Sequence, residues 1–99
     1  MVKKYYSDYV RHALRFYARH QNMPLFNRMA EQRDWNACRT VLNEHFSEYK
    51  ELLISVYQAF DTMADNVYEA AKKYNVPQDN IWSMMADLEK RVAIERGLL

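Results

Sequence analysis

Apolar residues along this chain recur at helical rather than strand spacing from one end to the other. Tyr6, Tyr9, Val10, Ala13, Phe16 and Tyr17 share one broad face if residues from about Lys4 to His20 are helical, at about 100° per residue. Gln21-Asn22-Met23-Pro24 ends that segment, because Pro biases its predecessor away from helical geometry. Leu25 to Gln32 fits a loop, a short turn or the start of the next helix. From about Asp34, the residues Trp35, Cys38, Val41, Leu42, His45 and Phe46 mark a second helix. Ser47 suits the N-cap of a third, with Glu48 and Glu51 in its first turn and Tyr49, Leu52, Leu53, Val56, Tyr57 and Phe60 on its core side. The stretch Asp61–Asp65 breaks the pattern, and Asp61 or Asp65 suits the cap of a fourth helix carrying Val67, Ala70, Ala71 and Tyr74. After Asn75-Val76-Pro77, a long fifth helix from about Gln78 to Arg96 places Ile81, Met85, Leu88 and Val92 on one side, and Gly97 closes it. The expected core is Val10, Phe16, Trp35, Val41, Leu42, Leu52, Leu53, Val56, Val67, Ala71, Val76, Ile81, Met85 and Leu88.

Composition narrows the class further. One Gly and two Pro in 99 residues are too few turn residues for an all-β fold or a Gly-rich phosphate loop. Apolar residues at 49% and charged residues at 27% supply enough core to offset ordering entropy, which excludes a disordered chain. A single Cys excludes internal disulfides and multi-thiolate zinc sites, and suits a reducing, cytoplasmic compartment. No apolar run approaches the ~18 residues of a membrane span. Met1-Val2-Lys3-Lys4 has the basic start of a signal peptide but no apolar stretch after it. The expectation is one all-α domain over residues 1–99, of about five helices, with a basic, aromatic-rich half (1–46) and a second half (47–97).

The net charge of +1 conceals a division. Residues 1–39 carry eight Lys and Arg against three acids, a net +5, and residues 40–99 carry six against ten, a net −4. Such a split fits either an anionic partner for the first half or complementarity between the halves. Within the first helix Lys4, Arg11, Arg15 and Arg19 form a basic stripe. Its ordinary explanation is a solvated helix face; its functional one is contact with phosphate or with an acidic partner.

The segment Ala70-Ala71-Lys72-Lys73-Tyr74-Asn75-Val76-Pro77-Gln78-Asp79-Asn80-Ile81 has the ingredients of a helix-turn-helix. A small residue allows close packing, Asn stands at the sharp turn, and Val76 and Ile81 fill the space between two helices. Taken more widely, Phe46 to Arg96 resembles the promoter-recognising C-terminal domain of bacterial sigma factors and related phage late-gene regulators. The order that matches is Ser47-Glu48-Tyr49-Lys50-Glu51-Leu52-Leu53-Ile54-Ser55-Val56-Tyr57, then Val67 to Tyr74, the turn, and the last helix. The resemblance covers about half the chain and consists mainly of apolar spacing. It implies a C-terminal helix-turn-helix whose last helix enters the major groove of double-stranded DNA, in a protein of phage or mobile-element origin.

With Ile81, Met85 and Leu88 inside, Gln78, Asp79, Trp82, Ser83, Ala86, Asp87 and Lys90 face outward, and Asn80 lies at the edge. Gln, Asn and Ser can hydrogen-bond base edges, while Lys can reach phosphate. A transcriptional regulator would therefore read bases with Gln78, Asn80, Trp82 and Ser83 and touch phosphates with Lys72, Lys73 and Lys90; Arg11, Arg15 and Arg19 extend the footprint if they lie on that side. Asp79 and Asp87 oppose this reading electrostatically. A second reading makes the helix pair a packing solution in a small inhibitor or adaptor that binds a protein, since Trp, Tyr and Arg dominate interface hot spots. Helix-turn-helix binders are commonly two-fold symmetric, so a homodimer is a further candidate, with no contact face marked.

Enzymatic chemistry finds little support. His12 and His20 are too far apart on one helix to share an ion, and Cys38 with His45 supplies only two ligands. No His-Glu-x-x-His motif or carboxylate pair in an evident pocket is present. No cofactor is expected, and the six methionines are read as gap-fillers in the core.

Overall fold

The computed structural model describes residues 6–99, so Lys3, Lys4 and Tyr5 lie outside the described residues. It is all-helical. Five α-helices follow one another: α1 (Tyr6–Arg19), α2 (Met29–His45), α3 (Lys50–Gln58), α4 (Met63–Tyr74) and α5 (Gln78–Glu95). A single 3-10 turn, Ser47–Tyr49, precedes α3.

Helix α1 occupies the middle, packed against α2, α3 and α5, while α4 bridges α3 and α5. Its buried residues, Val10, Ala13, Leu14, Tyr17 and Ala18, keep the i, i+3, i+4, i+7, i+8 spacing of one amphipathic face. Leu14 and Ala18, absent from the expected face, are buried because the packed face is turned toward them and away from Tyr9. Tyr9, assigned to that face, is 41% exposed and turns its hydroxyl to Asp34. Of the expected core, Phe16, Ala71 and Val76 are partly buried and the remaining residues are buried. Tyr57, Cys38, Val92 and Ala93 join them.

Several boundaries differ from the sequence expectation, each for a local reason. Helix α2 begins at Met29, not Asp34, because Glu31 accepts the backbone N–H of Asn27 and Gln32 already donates to the Arg28 carbonyl. Its first turn is solvent-facing and so left no apolar signature in the sequence. Ser47 does not cap α3. The N–H of Tyr49 bonds to the carbonyl of buried Phe46, which winds Ser47–Tyr49 into the 3-10 turn, and the helix starts only at Lys50. Phe60 and Tyr49 are exposed, not core; α3 stops at Gln58 and the extended Ala59 carries Phe60 past the packed surface. Thr62, rather than Asp61 or Asp65, caps α4 by accepting the Asp65 N–H at 3.2 Å. Gly97, at φ +74°, closes α5 as expected.

Two side-chain networks tie the outer helices to the centre. Glu89 on α5, 5% exposed, accepts on one carboxylate oxygen from Arg11 Nε (2.9 Å) and from the Tyr57 hydroxyl (2.7 Å), joining α5, α1 and α3. Asp34 on α2 accepts from the Tyr9 hydroxyl and from Arg96 Nε, joining α2, α1 and the end of α5. Asn66 donates its side-chain amide to the carbonyls of Val56 and Ala59, closing the end of α3.

Candidate functional site

The α4–α5 corner is built from its backbone outward. Helix α4 ends in Asn75, which takes the left-handed conformation at φ 54°, a state Asn tolerates better than most residues. The N–H of Val76 then reaches back to the carbonyl of Ala71 at 3.2 Å, and the partly buried Ala71 and Val76 side chains pack on the core beside it. This is the 6→1 closure of a Schellman turn with its apolar pair. Pro77 starts α5: its carbonyl receives both Asn80 N–H (3.1 Å) and Ile81 N–H (3.2 Å).

Beyond the corner, the beginning of α5 buries one residue and leaves its neighbours in water. Ile81 is fully buried, yet Gln78, Asp79, Asn80, Trp82 and Ser83 around it are all exposed. Further along, Met85, Leu88, Glu89, Val92 and Ala93 bury the inner side. Spacings of three, four, three and four put Asn80, Ser83, Asp87, Lys90 and Ile94, all exposed, on the ridge opposite those buried residues. Asp79 and Ala86 flank that ridge, and Gln78 and Trp82 fall beyond them on the same side. Lys90 lies about 18 Å along the axis from Gln78 at 1.5 Å per residue, so it is remote from the corner.

Lys72 and Lys73 occupy the last turn of α4, exposed, where cations suit the helix dipole. Their ammonium groups lie 5.2 Å and 5.4 Å from the rings of Tyr68 and Tyr74. Lys72 and Lys73 thus end α4 on one side of the corner, and Gln78 and Asn80 begin α5 on the other. The two opposing acids have separate explanations. Asp87 is paired with Arg91 at 3.1 Å, one turn on, and that arginine also lies 3.3 Å from His45 Nδ1. Asp79 sits in the first turn of α5, where a carboxylate suits the positive end of the helix.

The arginine stripe of α1 is distributed differently from a free cationic face. Arg11 is bound to Glu89, and its pKa is raised: burial opposes the charge, but the Glu89 hydrogen bond and charge outweigh that. Arg19 donates to the carbonyls of Gln58 and Ala59, both at 3.2 Å, and lies over the Phe60 ring at 3.9 Å. Arg15 is half-buried between them. Among the described residues of the stripe, Arg11 borders α5: a groove of about 180 Å³ is lined by Tyr6, Ser7, Arg11, Trp82, Ala86 and Glu89.

Sequence reasoning missed Glu89, Tyr57 and Asp34 as organisers. Glu89 follows Ile81 and Met85 at successive four-residue steps, an inner-face position, and a carboxylate there facing a basic stripe was the available signal. Cys38 is buried, and burial pushes its thiol well above the ordinary range; His45 is exposed. Among the described residues no group of three or more His, Cys, Asp or Glu could hold a metal ion, and no helix is long and apolar enough to cross a membrane. The chain matches no family model, no curated protein and no solved structure.

Proposed function

We propose that the chain is a small DNA-binding transcriptional regulator, with α4 and α5 forming a helix-turn-helix whose second helix enters the major groove. The observation that carries this reading is the beginning of α5, where one buried residue, Ile81, is surrounded by five exposed ones. A groove about 12 Å wide admits a helix end exposed in this way. In that docking Ser83 faces the groove floor, Gln78 and Asn80 reach base edges on either side, and Trp82 packs against the groove wall. Lys72 and Lys73 meet phosphates from across the corner, and Lys90 meets one farther along. The pairing of Asp87 with Arg91 removes one of the two repulsive charges.

The engagement of Arg11 and Arg19 inside the fold leaves a footprint of about three lysine–phosphate contacts, which sets the expected salt dependence. With a slope of about −0.9 per phosphate, raising salt from about 50 to about 200 mM should weaken binding to mixed-sequence duplex roughly 40-fold. Fluorescence anisotropy of a labelled duplex measures this. Binding that is absent at low salt, or that is unchanged by Lys72→Gln together with Lys73→Gln, overturns the reading.

A second reading, a non-enzymatic inhibitor or adaptor that binds a protein, is favoured by one specific feature. Trp82, 36% exposed beside the Arg11 groove, sits on the same surface as Asp79, a mixture more usual at protein interfaces than on DNA-binding helices. If DNA fails to bind, Trp82→Ala is the variant that tests this surface against protein partners.

A further inference from the structure

An exposed apolar stretch lies outside the helix pair α4–α5. In the α1–α2 connection Leu25 is 99% exposed, and Met23 and Met29 at its flanks are exposed as well. Phe26, between them, instead turns inward onto Phe16 and Trp35, with ring centroids 6.4 Å and 6.0 Å away. The connection is therefore anchored by Phe26 and presents Leu25 outward from a fixed base.

Beside it, the start of α2 and the outer side of α1 enclose a cleft of about 230 Å³. Ala13, Phe16 and Ala30 supply its apolar lining beside Tyr9 and Asp34, and His12, Arg28 and Glu31 complete it. Leu25 does not line this cleft. An exposed apolar knob and an apolar hollow thus adjoin each other on one patch, unable to satisfy each other within one chain. The lining carries both signs of charge: Arg28, its side chain 77% exposed, lies a loose 3.8 Å from Glu31.

A contact surface that pairs with itself about a twofold axis needs protrusion and hollow, and positive and negative charge, within a single patch. We propose that two copies of this chain associate through this face, with Leu25 of each seated in the other's α1–α2 cleft and Arg28 of each meeting Glu31 of the other. The patch consists of one loop and parts of two helices, so the dimer is weak and concentration-dependent. The face leaves the exposed turns of α5 uncovered, and the proposal does not rest on DNA binding.

Sedimentation velocity of the full chain from low micromolar to near-millimolar concentration, without DNA, tests it. A reversible monomer–dimer equilibrium is expected. Leu25→Asp removes the knob, and Ala30→Trp fills the hollow from an exposed position, so neither disturbs the core; each should shift the midpoint upward by about tenfold or more. Ile94→Asp, at an exposed apolar residue near the end of α5, should leave it unchanged. A chain that stays monomeric throughout overturns the proposal and leaves Leu25 to a different protein. A dimer indifferent to both Leu25→Asp and Ala30→Trp overturns it as well, by placing the contact elsewhere.

Discussion

Helices α1 and α5 both carry a polar stripe opposite an apolar one, and the fold treats the two in opposite ways. On α1 two of the three arginines turn back into the molecule, Arg11 onto a buried carboxylate and Arg19 onto the carbonyls that end α3. On α5 the polar residues of the first turns stay in water. The difference follows from position. Each helix meets three others, but Arg11 and Arg19 lie within reach of acceptors on neighbouring elements, whereas Gln78 to Ser83 at the start of α5 bury Ile81 alone. A helix that begins beyond a sharp turn has neighbours only where its apolar residues meet them. Charge patterning reports on function only where the helix that bears it has an open side.

The sharpest way to break this comparison is to show that α1 is peripheral. Leu14 lies beside the arginine stripe and is 1% exposed, so Leu14→Ala should cost roughly 2–5 kcal/mol in chemical denaturation. A loss near zero would make α1 an outer helix with a solvated basic face. Next in size is Glu89→Ala, which strands the buried Tyr57 hydroxyl and frees Arg11; a loss of about 1–3 kcal/mol is expected.

The same network gives a pH dependence. The Tyr57 hydroxyl is held well above its ordinary value of 10.0, first by burial and then by the Glu89 charge. A group whose folded pKa is raised stabilises below its ordinary value and loses that contribution as pH rises. Burial raises the Cys38 thiol from its ordinary 9.0 in the same direction. Stability should therefore fall as pH climbs past about 9 to 10, and Glu89→Gln should weaken the tyrosine part of that fall. A flat stability profile through pH 10 would mean these groups are solvated.

Smaller effects sharpen the other half of the comparison. Asn75→Ala forces a β-carbon into the left-handed region without the local hydrogen bonding of Asn and should cost about 1 kcal/mol, while Asn75→Gly should be close to neutral. Smallest of all, Ser83→Ala on the outer ridge of α5 should change stability by less than about 0.5 kcal/mol, and a larger change would mean the ridge is covered.

The parts legible in the sequence were those written in one helix at a time. The α4–turn–α5 boundaries came through because Asn75, Pro77 and Gly97 act on backbone geometry within a few residues, and Ile81, Met85, Leu88 and Val92 keep strict spacing. The start of α2 stayed hidden because its first turn is held by Glu31 and Asn27 and buries nothing. Ser47 misled because a cap is a competition, and the buried Phe46 with its carbonyl bond to Tyr49 outcompeted it. The fate of the arginines depended on which helices meet, with Arg11 and Glu89 separated by 78 positions. The exposed end of α5 was legible as a face; that Arg11 borders it while Arg19 lies against the α3–α4 connection was not.

The most direct test of an open α5 beside a closed α1–α2 contact uses the two tryptophans, one on α2 against Tyr17 of α1 and one on α5. Trp35 is 3% exposed and hydrogen-bonded to the His20 carbonyl, whereas Trp82 is 36% exposed on α5. The neutral quencher acrylamide should quench Trp82 and spare Trp35, and saturating duplex DNA at low salt should remove that quenching while Trp35 emission stays unchanged. Quenching that persists undiminished with DNA bound, or that never distinguishes the two tryptophans, would contradict the account.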